Sequence, residues 1–528
     1  MNSTQNSQVQ SGQKTGVMKP TLSMTSLLMN AMALIAPGAF LWTTFQMEAA
    51  QSAGGNSTAA EMWTGLVAAL VLAFLTAISY AELSKIFPKA GSGSSYYFAE
   101  AALLEKEKAS HRKWARIAKF GVGWVSHLYY WIYPGIMVAF SATLIVYIFG
   151  LFGIPLSVWQ QILAAVAFAA INGYVAYRGI NGSTMTSIVI NAVQLISLMA
   201  FSVLAIMYRH ANPGLEYATS IPSILLPHNF TSVIYQSTIA ILLLVGFESV
   251  TSLGAEAINP KRDIRRAILL SLIIQGLIAY LFEYFAANYF VGAQLAGTDA
   301  SGAAVTGYAA AASSGAPIGD MVRVIGDKML GGTGLALTLI MASTVVLALI
   351  GTTLACLNTG VRITYAMSKD KEAPSILGLL HGRFATPYWG IWILVGVSAI
   401  IGAYGVLSTD NLTQITLASN TGTFLVYGMT NLIALVAFLG RPGARFLQHR
   451  LVPVLGFLAN VVMLLGIVYL SIKAGGSSST DAVIALSMVG VWLAVGIIWF
   501  VLNTRKNRLP VLLSKSSEPD RLVLNERG

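Results

Sequence analysis

The chain has 528 residues, of which 55% are hydrophobic and only 10% charged, with a mean hydropathy of +0.69 and a formal net charge of +11. A water-soluble core does not account for so apolar a composition, so the chain reads as a polytopic membrane protein whose positive charge reflects topology and lipid contact, with no nucleic-acid partner. The single cysteine, Cys356, excludes an intrachain disulfide framework and a cysteine-rich metal site, and no cofactor is expected.

A helix needs about 20 apolar residues to cross a bilayer. Twelve such segments follow one another, centred near Ile35, Val71, Ile136, Val166, Leu198, Leu243, Ala279, Val345, Gly396, Val426, Leu464 and Val491. Residues 1–24 are polar and read as a cytoplasmic tail. The first apolar segment lacks a small-residue cleavage site and reads as a retained helix. With both termini cytoplasmic, only Arg209, Arg323, Lys328 and Lys473 of the 32 lysines and arginines fall outside, as the positive-inside rule expects of a multi-pass protein of the cytoplasmic membrane.

Span one, SLLMNAMALIAPGAFLWTTF, carries Pro37-Gly38 at its middle, where proline removes a backbone donor and glycine eases departure from helical geometry. The segment Lys85 to Lys119 is basic and partly helical, and span three follows with an aromatic cluster, Tyr129, Tyr130, Trp131 and Tyr133. Span six breaks at Gly246-Phe247 and holds Glu248 at mid-depth, where a charge costs roughly 2.5–3.5 kcal/mol on insertion scales and has to be compensated. Span seven adds a second acid, Glu283, and the loop 291–334, rich in Gly, Ala and Ser, reads as an extracellular lid with a short amphipathic helix over Ile318 to Met329. Two threonines, Thr352 and Thr353, lie in span eight, and Ser419 and Asn420 in span ten. Broken helices at corresponding places in two halves point to inverted repeats around a midplane site. The expected organisation is a first five-helix repeat over 25–208, a second over 232–438, transmembrane helices 11 and 12 over 451–502, and a cytoplasmic tail over 503–528.

Several short motifs fall in order along these spans. Gly246-Phe247-Glu248 is followed by Ala255-Glu256 and by Asn259-Pro260-Lys261-Arg262-Asp263-Ile264-Arg265-Arg266-Ala267-Ile268. Span two ends in Tyr80-Ala81-Glu82-Leu83 and Phe87-Pro88-Lys89-Ala90-Gly91, span three opens with Gly123-Trp124, and span eight leaves through Arg362-Ile363-Thr364-Tyr365-Ala366-Met367. In this pattern the chain resembles the amino acid-polyamine-organocation superfamily of permeases. The resemblance implies an all-α membrane fold of twelve transmembrane helices, a LeuT-like 5+5 inverted repeat plus two C-terminal helices. It also implies a secondary active transporter of amino acids or related small amines, working by alternating access as a symporter or antiporter, and not an enzyme.

By position, the resemblance gives substrate contacts to Ala36, Pro37, Gly38, Ala39 and Phe40 in span one and to Leu244, Gly246, Phe247, Glu248 and Ser249 in span six, with Tyr130 and Tyr133 lining the cavity. Proline at position 37 replaces an amide that would hold a carboxylate, and with Tyr130 and Pro134 it is similar to the branch of bacterial putrescine importers, so a polyamine importer is the alternative. A substrate-sensing receptor or a channel on the same fold is the alternative from another class. Coupling is open between protons, with Glu248 and Glu283 as candidates, and sodium, with Thr352 and Thr353 as hydroxyl ligands. Glu82, Glu256, Arg262 and Arg362 are expected to close the inner face through ion pairs. His127, a lone intramembrane histidine, reads as structural.

Overall fold

The computed structural model describes residues 21–506 apart from Ala36, 89–92, 107–112, 180–183, 213–219, Ala255, Ala300, Arg383 and Ala385. Among the described residues, eleven helices are long and apolar enough to cross a membrane: Ala59–Ile86, Lys113–Leu151, Val158–Tyr177, Asn191–Ala211, Phe230–Leu253, Pro260–Val291, Gly334–Lys369, Tyr388–Gly405, Thr409–Phe438, Leu447–Lys473 and Gly476–Arg505. Two shorter helices set end to end, Met24–Ile35 and Pro37–Ala50, take the place of span one. Eleven long helices thus stand where twelve spans were expected, with the divided segment in the place of the first, and the span numbers are kept in that order. The protein is a multi-pass, all-α membrane protein.

Burial orders the spans. The apolar windows of spans two, six and ten are 67%, 78% and 72% buried, against 17% for span twelve, which places the first three at the centre of the bundle and the last at its rim. Exposed side chains such as Ile196, Ile400, Ile472 and Val491 stand on the outer helix faces. Hydrocarbon tails are as apolar as these side chains, so such faces need no protein cover.

Local chemistry explains the interruptions. Pro37 begins the second half-helix, a position where its missing N–H would have had no partner anyway. Span six starts as a regular helix, Phe230–Ala240, capped by the Asn229 side chain, which accepts from the Thr231 and Ser232 amides. It then tightens over Ile241–Leu243, turns at Gly246 and continues as a tight 3-10 coil over Phe247–Leu253. The break is therefore wider than the dipeptide Gly246-Phe247 implied. Two further departures were not visible in the sequence: span three divides into Lys113–Tyr130 and Tyr133–Leu151, and span seven widens to π-helical turns over Leu272–Tyr280.

One face of the bundle carries the segment 291–334. It contains an antiparallel hairpin pairing Ala296–Thr298 with Ala304–Thr306, a helix Gly307–Ser313, and a helix Pro317–Met329 that matches the amphipathic helix expected from Ile318. Gln46 of span one donates to Ala312 O at 3.3 Å and to Thr409 Oγ1 at 3.0 Å, so this segment, the expected lid, lies over the second half-helix of span one. The opposite face carries the chain's described ends. There Thr21 N and Leu22 N donate to Glu256 O at 2.9 and 2.8 Å, and Ile258 N donates to Leu22 O at 3.0 Å, which ties the start of the described chain to the exit of span six.

Candidate functional site

Breaking a helix inside an apolar bundle frees carbonyls that have to be met by other groups. At the end of the Met24–Ile35 half-helix, Met32 O accepts from Gln275 Nε2 at 2.9 Å, Ala33 O from Thr352 Oγ1 at 2.8 Å, and Ile35 O from the Tyr280 hydroxyl at 2.7 Å. Gln275 and Tyr280 both belong to the π-widened stretch of span seven, whose irregular turns aim two side chains at one helix end. At the end of the Phe230–Ala240 helix, Asn420 Nδ2 donates to Thr238 O at 2.7 Å, and the Tyr133 hydroxyl donates to Leu242 O at 3.3 Å.

The two breaks touch. Gly246 has φ +126°, and a Cβ there would stand 2.6 Å from the Cβ of Leu34 in the first half-helix of span one. Only glycine satisfies both the backbone angle and this approach. Two residues on, Glu248 is 2% exposed, and its carboxylate collects three donors: the Tyr130 hydroxyl on Oε1 at 3.0 Å, and the Tyr427 hydroxyl at 2.9 Å and the Gly246 amide at 3.1 Å on Oε2. Among the described residues, the acid is compensated by hydrogen bonds and not by a cation. Aromatic rings wall it in: Tyr80, Phe247 and Tyr427 stand with centroids 5.4–6.1 Å apart, and Tyr129 packs 4.2 Å from Tyr130. Beside it lies a small cavity of about 10 Å³, lined by residues that include Tyr80, Ser94, Ser95, Tyr129, Tyr130 and Glu248.

The remaining candidates divide. Leu244, Phe247 and Ser249 are fully buried beside Glu248, and Ser249 Oγ has no hydrogen-bond partner. Pro37, Gly38, Ala39 and Phe40 form the first turn of the second half-helix, and Ala36 lies outside the described residues. Thr352 binds the span-one carbonyl, whereas Thr353 Oγ1 donates to Leu349 O of its own helix at 2.6 Å, so the two hydroxyls do not converge. Glu283 is buried on span seven, one residue before Tyr284, and is not part of the Glu248 cage. His127 bridges Gly123 O at 2.8 Å and Thr364 Oγ1 at 3.0 Å, a structural link between spans three and eight. Tyr427, which no motif marked, and Tyr80, which the span-two motif contains without a site role, complete the cage.

Residues 21–494 match the family model described as amino acid permease. The chain belongs to the amino acid permease family. The permease is 24% identical over 504 residues to the low-affinity putrescine importer PlaP of Escherichia coli (strain K12), covering 94% of this chain and 96% of the relative. It is also 24% identical over 466 residues to the branched-chain amino acid permease BcaP of Bacillus subtilis (strain 168), covering 84% and 85%. A methylthioribose transporter of the same organism is 23% identical over 461 residues, covering 84% and 88%.

Ion pairs lie on the face of the permease opposite the segment 291–334. Arg362 of span eight binds Glu256 at the exit of span six, joining two of the four residues expected there. Glu82 is held by Arg265 at 3.2 Å, by His449 at 3.2 Å and by Lys85 at 3.8 Å. Arg262 is the correction: it pairs with its neighbour Asp263 at 2.7 Å and is half exposed, because the helix begun by Pro260 turns it outward and brings Arg265 to Glu82 instead. Ala255, in the same motif, lies outside the described residues, as do Lys89, Ala90 and Gly91.

A second cluster on this face had no counterpart in the sequence reading. Lys119 Nζ lies 2.6 Å from both Glu100 and Asp370, and Arg116 pairs with Glu372 at 2.9 Å. Burial pushes the Asp370 carboxyl above its usual range, and Lys119 and the Tyr96 hydroxyl pull it part of the way back. Trp499 of span twelve donates to Glu372 O at 2.8 Å, so the cluster fastens spans three, eight and twelve together.

Proposed function

We propose that this permease is a secondary active transporter that moves an amino acid or a small amine across the cytoplasmic membrane by alternating access. The observation that carries the proposal is the Glu248 cage. A carboxylate held by two tyrosine hydroxyls and one amide, facing the rings of Tyr80, Phe247 and Tyr427, offers an ammonium group both a counter-charge and aromatic faces. Substrate ammonium binds at Glu248, and the backbone of the two breaks completes the site. In this reading 25–208 and 232–438 are the two repeats, the lid face is extracellular, and both tails are cytoplasmic.

The proton is the coupling ion we assign. Thr352 and the Ala33 carbonyl, which together would serve sodium, are hydrogen-bonded to each other, while Glu248 and Glu283 supply buried acids able to exchange a proton. A diamine is the second reading of the substrate. It is favoured by the aromatic wall around the acid, and the likeness to a putrescine importer over 94% of the chain is in keeping with it.

A screen of amino acids, GABA and polyamines tests both, by thermal shift and by counterflow in proteoliposomes, with and without sodium and at two pH values. Trans-stimulated exchange of an amine-bearing compound is the expected result, independent of sodium. A channel gives flux without trans-stimulation, an enzyme changes the compound, and a receptor binds without exchange. Any of these outcomes contradicts the proposal.

A further inference from the structure

Glu48 sits in the last turn of the second half-helix of span one, on the lid side of the Glu248 cage, and is 0% exposed. Neither of its carboxyl oxygens makes a well-formed hydrogen bond. The Tyr284 hydroxyl of span seven lies against it without reaching good geometry, and the ring of Phe45, one turn before Glu48, packs 5.6 Å from that of Tyr284. Gln236 of span six donates to the backbone carbonyl of Glu48 at 2.9 Å and leaves its own amide oxygen unpaired.

Several charged and polar groups on the surrounding elements are engaged elsewhere. Glu61 is taken by His228, the Asn229 amide and Thr64, and Asp320 of the lid by Tyr147 and Ser314. Tyr308 of the lid donates to Asn288, and Thr409 at the start of span ten accepts from Gln46. Among the described residues, no ion pair reaches Glu48.

A carboxylate withdrawn from water with no cation and only one poorly placed hydroxyl beside it is strongly disfavoured, unlike Glu248 with its three donors. The closed lid side therefore accepts Glu48 only when its charge is neutralised. We propose that Glu48 is a proton-binding site filled from the lid side, and that its protonation is required for the outer half of span one to close over the substrate. The proposal rests on the transport reading above. It adds to that reading a site distinct from the substrate cage, and a dependence on external pH: closure is favoured when the outside is acidic and is lost as external pH rises.

The test is counterflow in proteoliposomes at a saturating concentration of an exchanged amine, read against external pH at fixed internal pH. Wild-type exchange is expected to fall with rising external pH, approaching about tenfold per unit once the proton is mostly unbound. E48Q, the same shape without an ionisable proton, is expected to lose most of the wild-type dependence on external pH and to keep only the part due to the coupling acids, whereas E48D keeps the full dependence. An E48Q variant that follows external pH as the wild type does overturns the proposal. So does loss of exchange in both variants despite membrane insertion, which marks a purely structural side chain. Absence of exchange by the wild type with every compound overturns the transport reading, and this proposal with it.

Discussion

Two buried glutamates in broken or closing helices meet opposite fates. Glu248 keeps its place through three donors, and each hydrogen bond to a charged group is worth about 1.5–3 kcal/mol. Tyr427→Phe removes one of them and is expected to raise the half-saturating substrate concentration in counterflow by about tenfold or more. An unchanged value would separate Tyr427 from the site. The sequence made Glu248 legible, because an acid in an apolar span demands compensation, and it singled out Tyr130 and Tyr133 within a cluster of aromatics. Tyr427 and Tyr80 were not legible. Tyr427 meets Glu248 across 179 positions, and a tyrosine in an apolar span has the same local signature whether it packs or donates. Glu48 was passed over for a related reason: it lies near the end of its span, where an acid raises no question until its burial is known.

At the scale of elements, the breaks in spans one and six were readable because glycine and proline mark where a helix cannot continue. Their width and their satisfaction were not. Thr238, Ile35, Met32 and Leu242 give their carbonyls to side chains from spans three, seven and ten, and nothing in span seven announced that its turns would widen to present Gln275 and Tyr280. Gly246 is the point where geometry is least forgiving. Gly246→Ala sets a Cβ 2.6 Å from that of Leu34 at a positive φ, so a loss of about 1–3 kcal/mol is expected. A lower midpoint in thermal unfolding of the purified protein checks this, and an unchanged midpoint contradicts the tight contact between the breaks. The lid helix was also legible, from its amphipathic pattern, while the hairpin before it was hidden in a run of small residues without alternation.

Across the whole molecule, the Glu248 cage lies between the segment 291–334 on one face and ion pairs on the other, in keeping with the proposed alternating access. The Arg362–Glu256 pair joins spans six and eight and is about a quarter exposed, so its worth is modest, about 0.2–1 kcal/mol. Glu256→Gln is accordingly expected to favour opening of that face by up to roughly fivefold. Cys356, the single cysteine, reports it: the thiol is fully buried near Glu248 and Tyr130, and its maleimide labelling rate should rise in the variant and fall again with substrate. Equal labelling in both proteins would exclude the pair from gating. Whether Glu248 receives the substrate's ammonium group is decided by counterflow of a labelled amine by wild-type and Glu248→Gln protein in proteoliposomes. Trans-stimulated exchange by the wild type and its loss in a variant that still inserts in the membrane are expected, whereas undiminished exchange by Glu248→Gln excludes Glu248 as the ammonium site.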